Sequence, residues 1–423
     1  MNQMLMAAVL LLASALPAAA QQMSFDDAVA RLKVPDPSAR LQALGLLAES
    51  GYPEAATPIA ALLNDPDDKL QRAALYAELG IFTGTRIETR RRVAVVVEVR
   101  DSTPAARAFD VFWSSLPLAP VPDAVVTALL GPTRHRDAGF RLEALYTLGV
   151  LGQIDGRAPT SAHAQVAETL AERLGDPAPE IRAATARVSG RIFRRCPAPC
   201  EVPGLQRLGD AIVHTMNDPD RRVRMAALEA LGDLRWERAV ESLAGSYVYY
   251  QKSEEALPYL ATLARIAHPS SVPLLKSALM HRNSTIRLVG GEGLARIGGE
   301  EAIATSAALD ADKSVPVRVV AAFALARSGQ AAGIDRLVQA LDAAATRAQA
   351  QEYLFEVGAA AAPAAAAALS GGVAEKRVAL LEVLSLLGGG AELPGVEALK
   401  RDGNAAVAAA AERAALRITA RTR

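Results

Sequence analysis

Residues able to do chemistry are few in this chain of 423 residues. Its two cysteines, Cys196 and Cys200, frame the segment Cys-Pro-Ala-Pro-Cys, and its five histidines, His135, His163, His214, His268 and His281, stand far apart. The cysteine spacing suits a local disulfide formed in an oxidising compartment and pinching a loop between helices. Two prolines force that loop to be extended, so bridging depends on how closely the Cα atoms approach. A redox-active pair is the other reading, although the usual spacing is two residues. A metal site needs more ligands, and no His lies beside the thiols. There is no His-Glu-x-x-His helix, glycine-rich phosphate loop or Gly-x-Ser-x-Gly elbow. Gly290-Gly291-Glu292-Gly293 falls inside a helical segment, where close packing explains it. No catalytic, cofactor-binding or metal-ligating residue is assigned.

What the sequence offers instead is a repeated helical phrase, clearest from Asp218 to Leu234. From Val223 the apolar residues fall at Ala227, Ala230, Leu231 and Leu234, one stripe of an α-helix. Asp218 stands ahead of it, where a carboxylate can accept unpaired backbone N–H groups, and Pro219 follows where a missing N–H costs nothing. The phrase recurs as an apolar residue, a basic or polar one, and a small residue four places after the first. Ala39-Arg40 goes with Ala43, Leu70-Gln71 with Ala74, Phe140-Arg141 with Ala144, and Ile181-Arg182 with Thr185. Ile286-Arg287 goes with Gly290, Val317-Arg318 with Ala321, and Val407-Ala408 with Ala411. The small residue lets a neighbouring helix approach. Arg287 and Arg318 lie 31 residues apart (318 − 287), as do Arg40 and Gln71, and Arg377 and Ala408. Leu380 breaks the small-residue rule near Lys376.

These Asp-Pro openings at Asp65, Asp176 and Asp218, the apolar–Arg pairs, and Ala324-Leu325 resemble the HEAT repeat family, in particular the short HEAT-like repeats of the phycobilin lyases. The resemblance implies an all-α fold, an α-solenoid of stacked antiparallel helix pairs forming a superhelix. It also implies a polar ladder between successive repeats, carried here by Asp65, Asp176, Asp218 and Asp312 with Arg141, Arg182, Arg224, Arg287 and Arg318. His135 and His281 stand where the Asp would be, and read as alternative helix caps. The HEAT-like deoxyhypusine hydroxylases hold two irons with recurrent His-Glu pairs; that motif is absent here.

Composition agrees. Apolar residues make up 51% and aromatics only 4%, which suits thin helices in close contact better than a sandwich or barrel. Lys+Arg and Asp+Glu are both 46, so the basic excess of a nucleic-acid binder is missing. Residues 1–20 read as a signal peptide: an apolar core from Leu5 to Leu16, Pro17, then Ala18-Ala19-Ala20 before Gln21. No Lys or Arg precedes the core, and an uncleaved anchor is the alternative. No later stretch is expected to cross a bilayer.

The solenoid is expected over 21–423, with irregular repeats near 82–120 and 236–260. Within the first, Arg90-Arg91-Arg92 precedes Val93–Val99, a run that reads as a buried helix or as a strand. The triple Arg reads as a solvated turn or a contact for an acidic partner. A helix over Ala105–Ser115, carrying Phe109, Phe112 and Trp113, is its expected packing partner. The second irregularity concentrates Trp236, Tyr247, Tyr249 and Tyr250, either a bulkier core or an interaction patch, since such residues anchor interfaces. Alanine-rich Gly358–Leu369 is expected to be a short, close-packed helix. Arg421 and Arg423, at the end, are expected to fray.

The leading functional expectation is an exported, non-enzymatic protein-interaction scaffold or adaptor whose curved inner surface binds another protein, without cofactor or nucleic acid. Two others stand beside it: an enzyme or auxiliary of the phycobilin-lyase type, and an envelope component that self-associates through Val93–Val99 or Tyr247–Tyr250.

Overall fold

The structure, a computed structural model, describes residues 23–84, 103–111, 116–253 and 255–422. The signal segment, Arg90–Arg92, Val93–Val99, Phe112, Trp113 and Arg423 lie outside the described residues. The rest is an α-solenoid: first and second helices alternate, and no strand occurs among the described residues.

The second helices form the middle layer. In chain order they are Pro37–Ser50, Asp68–Thr83, Ala138–Leu151, Pro179–Phe193, Arg221–Asp233, Ala256–Ile266, Ser284–Ile297, Val315–Arg327, Ala344–Val357, Ala374–Leu387 and Ala405–Thr422. Each packs against the second helices adjacent to it, two within the row and one at either end, as well as its own first-helix segment. A helix enclosed on several sides needs more than one apolar stripe. Arg221–Asp233 accordingly buries Ala226, Leu228 and Gly232 in addition to Val223, Ala227, Ala230 and Leu231. First helices are covered on one side only, as in Leu205–Thr215, where Leu205, Leu208 and Ile212 turn inward.

The small residues sit at the tightest contacts. Ala43, Ala74, Ala144, Ala227, Ala321 and Ala411 are fully buried. At Gly290 an added Cβ would meet the Leu275 carbonyl oxygen at 2.8 Å, so the helix can approach only because that carbon is missing. Leu380 is also fully buried, so the Ala374–Leu387 layer accepts a large side chain where the others take a small one.

The cap of the Arg221–Asp233 helix lies two residues beyond the sequence expectation. Asp218 does not cap its helix; Asp220 does, accepting from the Arg222 backbone N–H at 2.7 Å. Asp218 instead accepts the Asp220 N–H at 2.9 Å and so holds the turn that delivers the cap. Asp65 with Asp67 repeats this arrangement.

Two stretches are less regular than expected. Pro53–Leu63 breaks into 3₁₀ pieces around a short helix, Ala56–Ala60, and the helix from Pro104 ends at Asp110. Ala344–Ser370 is long and apolar enough to cross a membrane by length and composition, contrary to the expectation that no such stretch exists. In the fold it is a succession of helix and 3₁₀ segments, with Tyr353, Leu354, Ala361 and Ala365 buried against neighbouring repeats.

No single core holds the row together. Buried side chains form one cluster from Ala28 to Ile266, a second from Ala295 to Ile418, and a smaller one around Leu260–Ala302 at their junction. The superhelix is nevertheless not an open row, because polar contacts bring its distant parts together.

Candidate functional site

The turn side of the solenoid carries the ladder. At the fourth position of the second helices, Arg141, Arg182, Arg224, Arg287, Arg318 and Arg347 bond back to their own turns, and Arg40, Arg141, Arg182, Arg287 and Arg377 reach an acid of the next repeat. Arg182 donates through Nη1 to the Asp176 and Pro177 carbonyls (2.9 and 3.1 Å). Its Nε and Nη2 then bind both Asp218 oxygens (2.7 and 3.0 Å). Arg287 holds the His281 and Arg282 carbonyls and both oxygens of Asp312 in the same way. Arg141 reaches Asp176 at 3.0 Å, Arg40 pairs with Asp65, and Arg377 with Asp402. Fork-to-carboxylate pairing of this kind fixes geometry as well as charge. The Arg182 guanidinium holds the Asp218 carboxyl below the usual carboxylate range, and Arg287 does the same to Asp312.

His135 and His281 occupy the turn position of the aspartate. The Nδ1 of His135 accepts from the Asp137 N–H at 3.1 Å, and that of His281 from the Asn283 N–H at 3.0 Å. An imidazole closes the turn as an aspartate does, and at His135 its Nε2 faces the Asp68 carboxylate of the preceding repeat at 3.4 Å, where a ladder aspartate would face an arginine. The residues at the preceding ladder positions are Gln71 and Tyr259, neither of which carries a guanidinium. Arg224 and Arg318 differ again. Each donates to two carbonyls of its own turn and, among the described residues, to no carboxylate.

At the opposite end of the second helices lies a cluster that the sequence reading missed. The helix carboxyl ends, whose last carbonyls lack helical partners, meet from distant parts of the chain. Arg417 donates through Nη2 to Asp155 (3.0 Å), through Nε to the Ser385 carbonyl (3.2 Å), and through Nη1 to the Pro117 carbonyl. Arg413 reaches the Thr83 carbonyl at 3.1 Å. Arg421 is not frayed: it donates to the Ser385 and Gly388 carbonyls. Arg195 also binds Asp155, and Arg194 binds Glu352. Arg296 grips both oxygens of Glu356 (2.8 and 2.7 Å), while Tyr353 donates to Glu292 at 2.5 Å.

Burial works against charge here. It lowers Arg417 to about 10 despite Asp155, whereas at Arg296 the carboxylates of Glu292 and Glu356 overcome burial and raise the pKa. The carboxyl ends of these second helices are thereby bound together by the chain's own side chains. The sequence signal was slight: a basic residue in the last turn, as at Arg191 and Arg296, also suits the helix dipole alone.

The aromatic group does not form one patch. Trp236 lies over Gly209, where an added Cβ would meet its ring at 2.3 Å, and Tyr247 packs against the core. Tyr249 is 81% exposed beside the exposed Val248. Below it Tyr250 meets Tyr249 edge-on at 4.8 Å and stacks on Tyr259 at 5.6 Å. Cys196 and Cys200 are joined in a disulfide with Cα atoms 5.5 Å apart, so the two prolines leave room for the bridge. Among the described residues no three His, Cys, Asp or Glu side chains gather as a metal site.

The family profile of the sister chromatid cohesion protein PDS5 matches residues 123–251, and that of the PBS lyase HEAT-like repeat matches residues 317–343. No curated protein matches the sequence. Among solved structures, an engineered protein is 17% identical with a TM-score of 0.36, over 93% of this chain and 98% of that one. Importin beta, crystallised in an ammonium sulfate condition, is 15% identical with a TM-score of 0.37, over 93% of this chain and 56% of its own.

Proposed function

The chain is a HEAT-repeat protein, and on that premise we propose that it is an exported, non-enzymatic scaffold that binds another protein through the edge of its superhelix around Tyr249. The observation that carries this reading is the exposed Tyr249, with the Tyr250 and Tyr259 rings fixed beneath it. Large aromatic side chains are frequent anchors of interfaces, and one already ordered loses little freedom on binding. The arginines at the carboxyl ends of the second helices are engaged within the chain, whereas Tyr249 is exposed. Export is supported by the apolar leader ending at Ala20 and by the Cys196–Cys200 disulfide, a bond that persists in oxidising compartments.

A photoreactive amino acid at position 249, introduced in living cells, tests the interaction. It should trap one discrete protein that the same group at the exposed Lys33 does not. Mass spectrometry of the chain recovered from the envelope fraction should find a mature start at Gln21. No adduct from position 249, or an unprocessed chain in the cytosol, would overturn the respective half of the proposal.

A further inference from the structure

We propose that the gap in the ladder at Arg224 is a binding site for an acidic side chain of a partner polypeptide, which completes the ladder from outside. Arg182 sets the pattern: its Nη1 binds two turn carbonyls, and its Nε and Nη2 bind the next repeat's Asp218. Arg224 places Nη1 on the corresponding carbonyls, of Asp218 and Pro219, at 2.8 and 3.1 Å. Its guanidinium therefore stands in the same pose, with the Nε–Nη2 edge facing the next repeat. Among the described residues no carboxylate meets that edge, and neither nitrogen is sealed from solvent.

The reason is one residue. The ladder acid lies six positions before the fourth residue of its helix, as Asp218 does before Arg224 and Asp312 before Arg318. In the next repeat that position is Ser253, six before Tyr259. The Ser253 hydroxyl accepts the Glu255 N–H at 3.3 Å, the turn bond that Asp218 makes with the Asp220 N–H. Serine thus closes its own turn and offers no carboxylate to the arginine behind it.

Arg318 and Arg347 also lack the acid, because the ladder position ahead of them is Leu341 and Gly371. At Arg224 the vacancy opens into a pocket walled by Met225, Tyr250 and Tyr259. The two acids at its edge do not fill it. Asp218 is committed to Arg182, and the exposed Glu255 forms no ion pair with Arg224. An arginine fork with two unused donors beside a stacked tyrosine pair is chemistry for a carboxylate on a short apolar stem. Tyr250 is also the ring against which Tyr249 rests, so the pocket is continuous with the edge surface. This inference rests on the scaffold reading and supplies the partner's chemistry.

The test uses the mature chain and a fluorescein-labelled, C-terminally amidated hexapeptide with a central glutamate, compared by anisotropy with its glutamine counterpart. The glutamate peptide should bind at least about tenfold more tightly. Arg224→Gln and Ser253→Asp should both abolish that preference, although they change the charge of the site in the same direction by opposite means. Ser253→Asp should raise the melting temperature as it supplies the missing acid, so its loss of binding cannot come from unfolding. Glu255→Gln should retain the preference. Equal binding of the two peptides, unchanged binding by Ser253→Asp, or binding only of a peptide with a free C-terminal carboxylate would overturn the assignment. An adduct still trapped from position 249 in Arg224→Gln would then leave the scaffold reading standing without it.

Discussion

Arg417, in the last helix, donates to Asp155 across 262 residues of sequence at 3.0 Å, while Arg195 binds the same carboxylate from another repeat. This contact fastens the end of the superhelix to its first half. The Ser385 and Pro117 carbonyls, accepting from the same guanidinium, tie two further elements to it. A side chain buried to this extent is stable only while its donors are occupied.

Replacing Arg417 by Met should therefore loosen the closure. Asp155 keeps Arg195, so the loss should be about 1–3 kcal/mol rather than that of an orphaned buried charge. Small-angle scattering should register a larger radius of gyration, and calorimetry a lower melting temperature. An unchanged scattering curve would mean that the closure does not depend on this residue.

Glu78 predicts an unusual pH dependence. It is fully buried on the Asp68–Thr83 helix, neither carboxylate oxygen has a hydrogen-bond partner, and burial pushes its pKa up to about 9. The folded state thus holds a proton that the unfolded chain releases near pH 4.5. Its contribution is fully favourable below pH 4.5 and declines as pH rises through about 9. Glu78→Leu should flatten this part of the stability profile and raise neutral-pH stability by on the order of 1–3 kcal/mol. Denaturant midpoints between pH 5 and 9 that follow the parent curve would refute it.

The packing layer can be tested by volume. Ala227 and Ala321 have no exposed surface, so Ala227→Leu or Ala321→Leu should overpack a helix contact and destabilise by about 1–3 kcal/mol. Arg221 is exposed, and Arg221→Ala should change little. Thermal melts of the three variants separate these expectations.

The disulfide closes a short loop, with four residues of sequence separation. On chain entropy alone its removal should cost roughly 2 kcal/mol. Reduction, or the double replacement of Cys196 and Cys200 by Ala, should lower the melting temperature without changing helix content. A large fall in circular dichroism would show that the loop organises more than its own turn.

Sequence alone determined the repeat, because helix periodicity, small residues at fixed phase and turn acids are local patterns that each repeat restates. It located Arg141, Arg182 and Arg287 in phase, yet it put the cap at Asp218 where the fold uses Asp220, since both acids can serve an adjacent helix end. It also grouped Trp236 with Tyr249, which stand at opposite ends of one helical segment and so meet different surroundings. Only the tertiary structure decided that Arg413 crosses to Thr83 and Arg417 to Pro117 and Asp155. That choice depends on how many small rotations between repeats accumulate before the ends meet, a sum to which every interface contributes and which no single segment encodes.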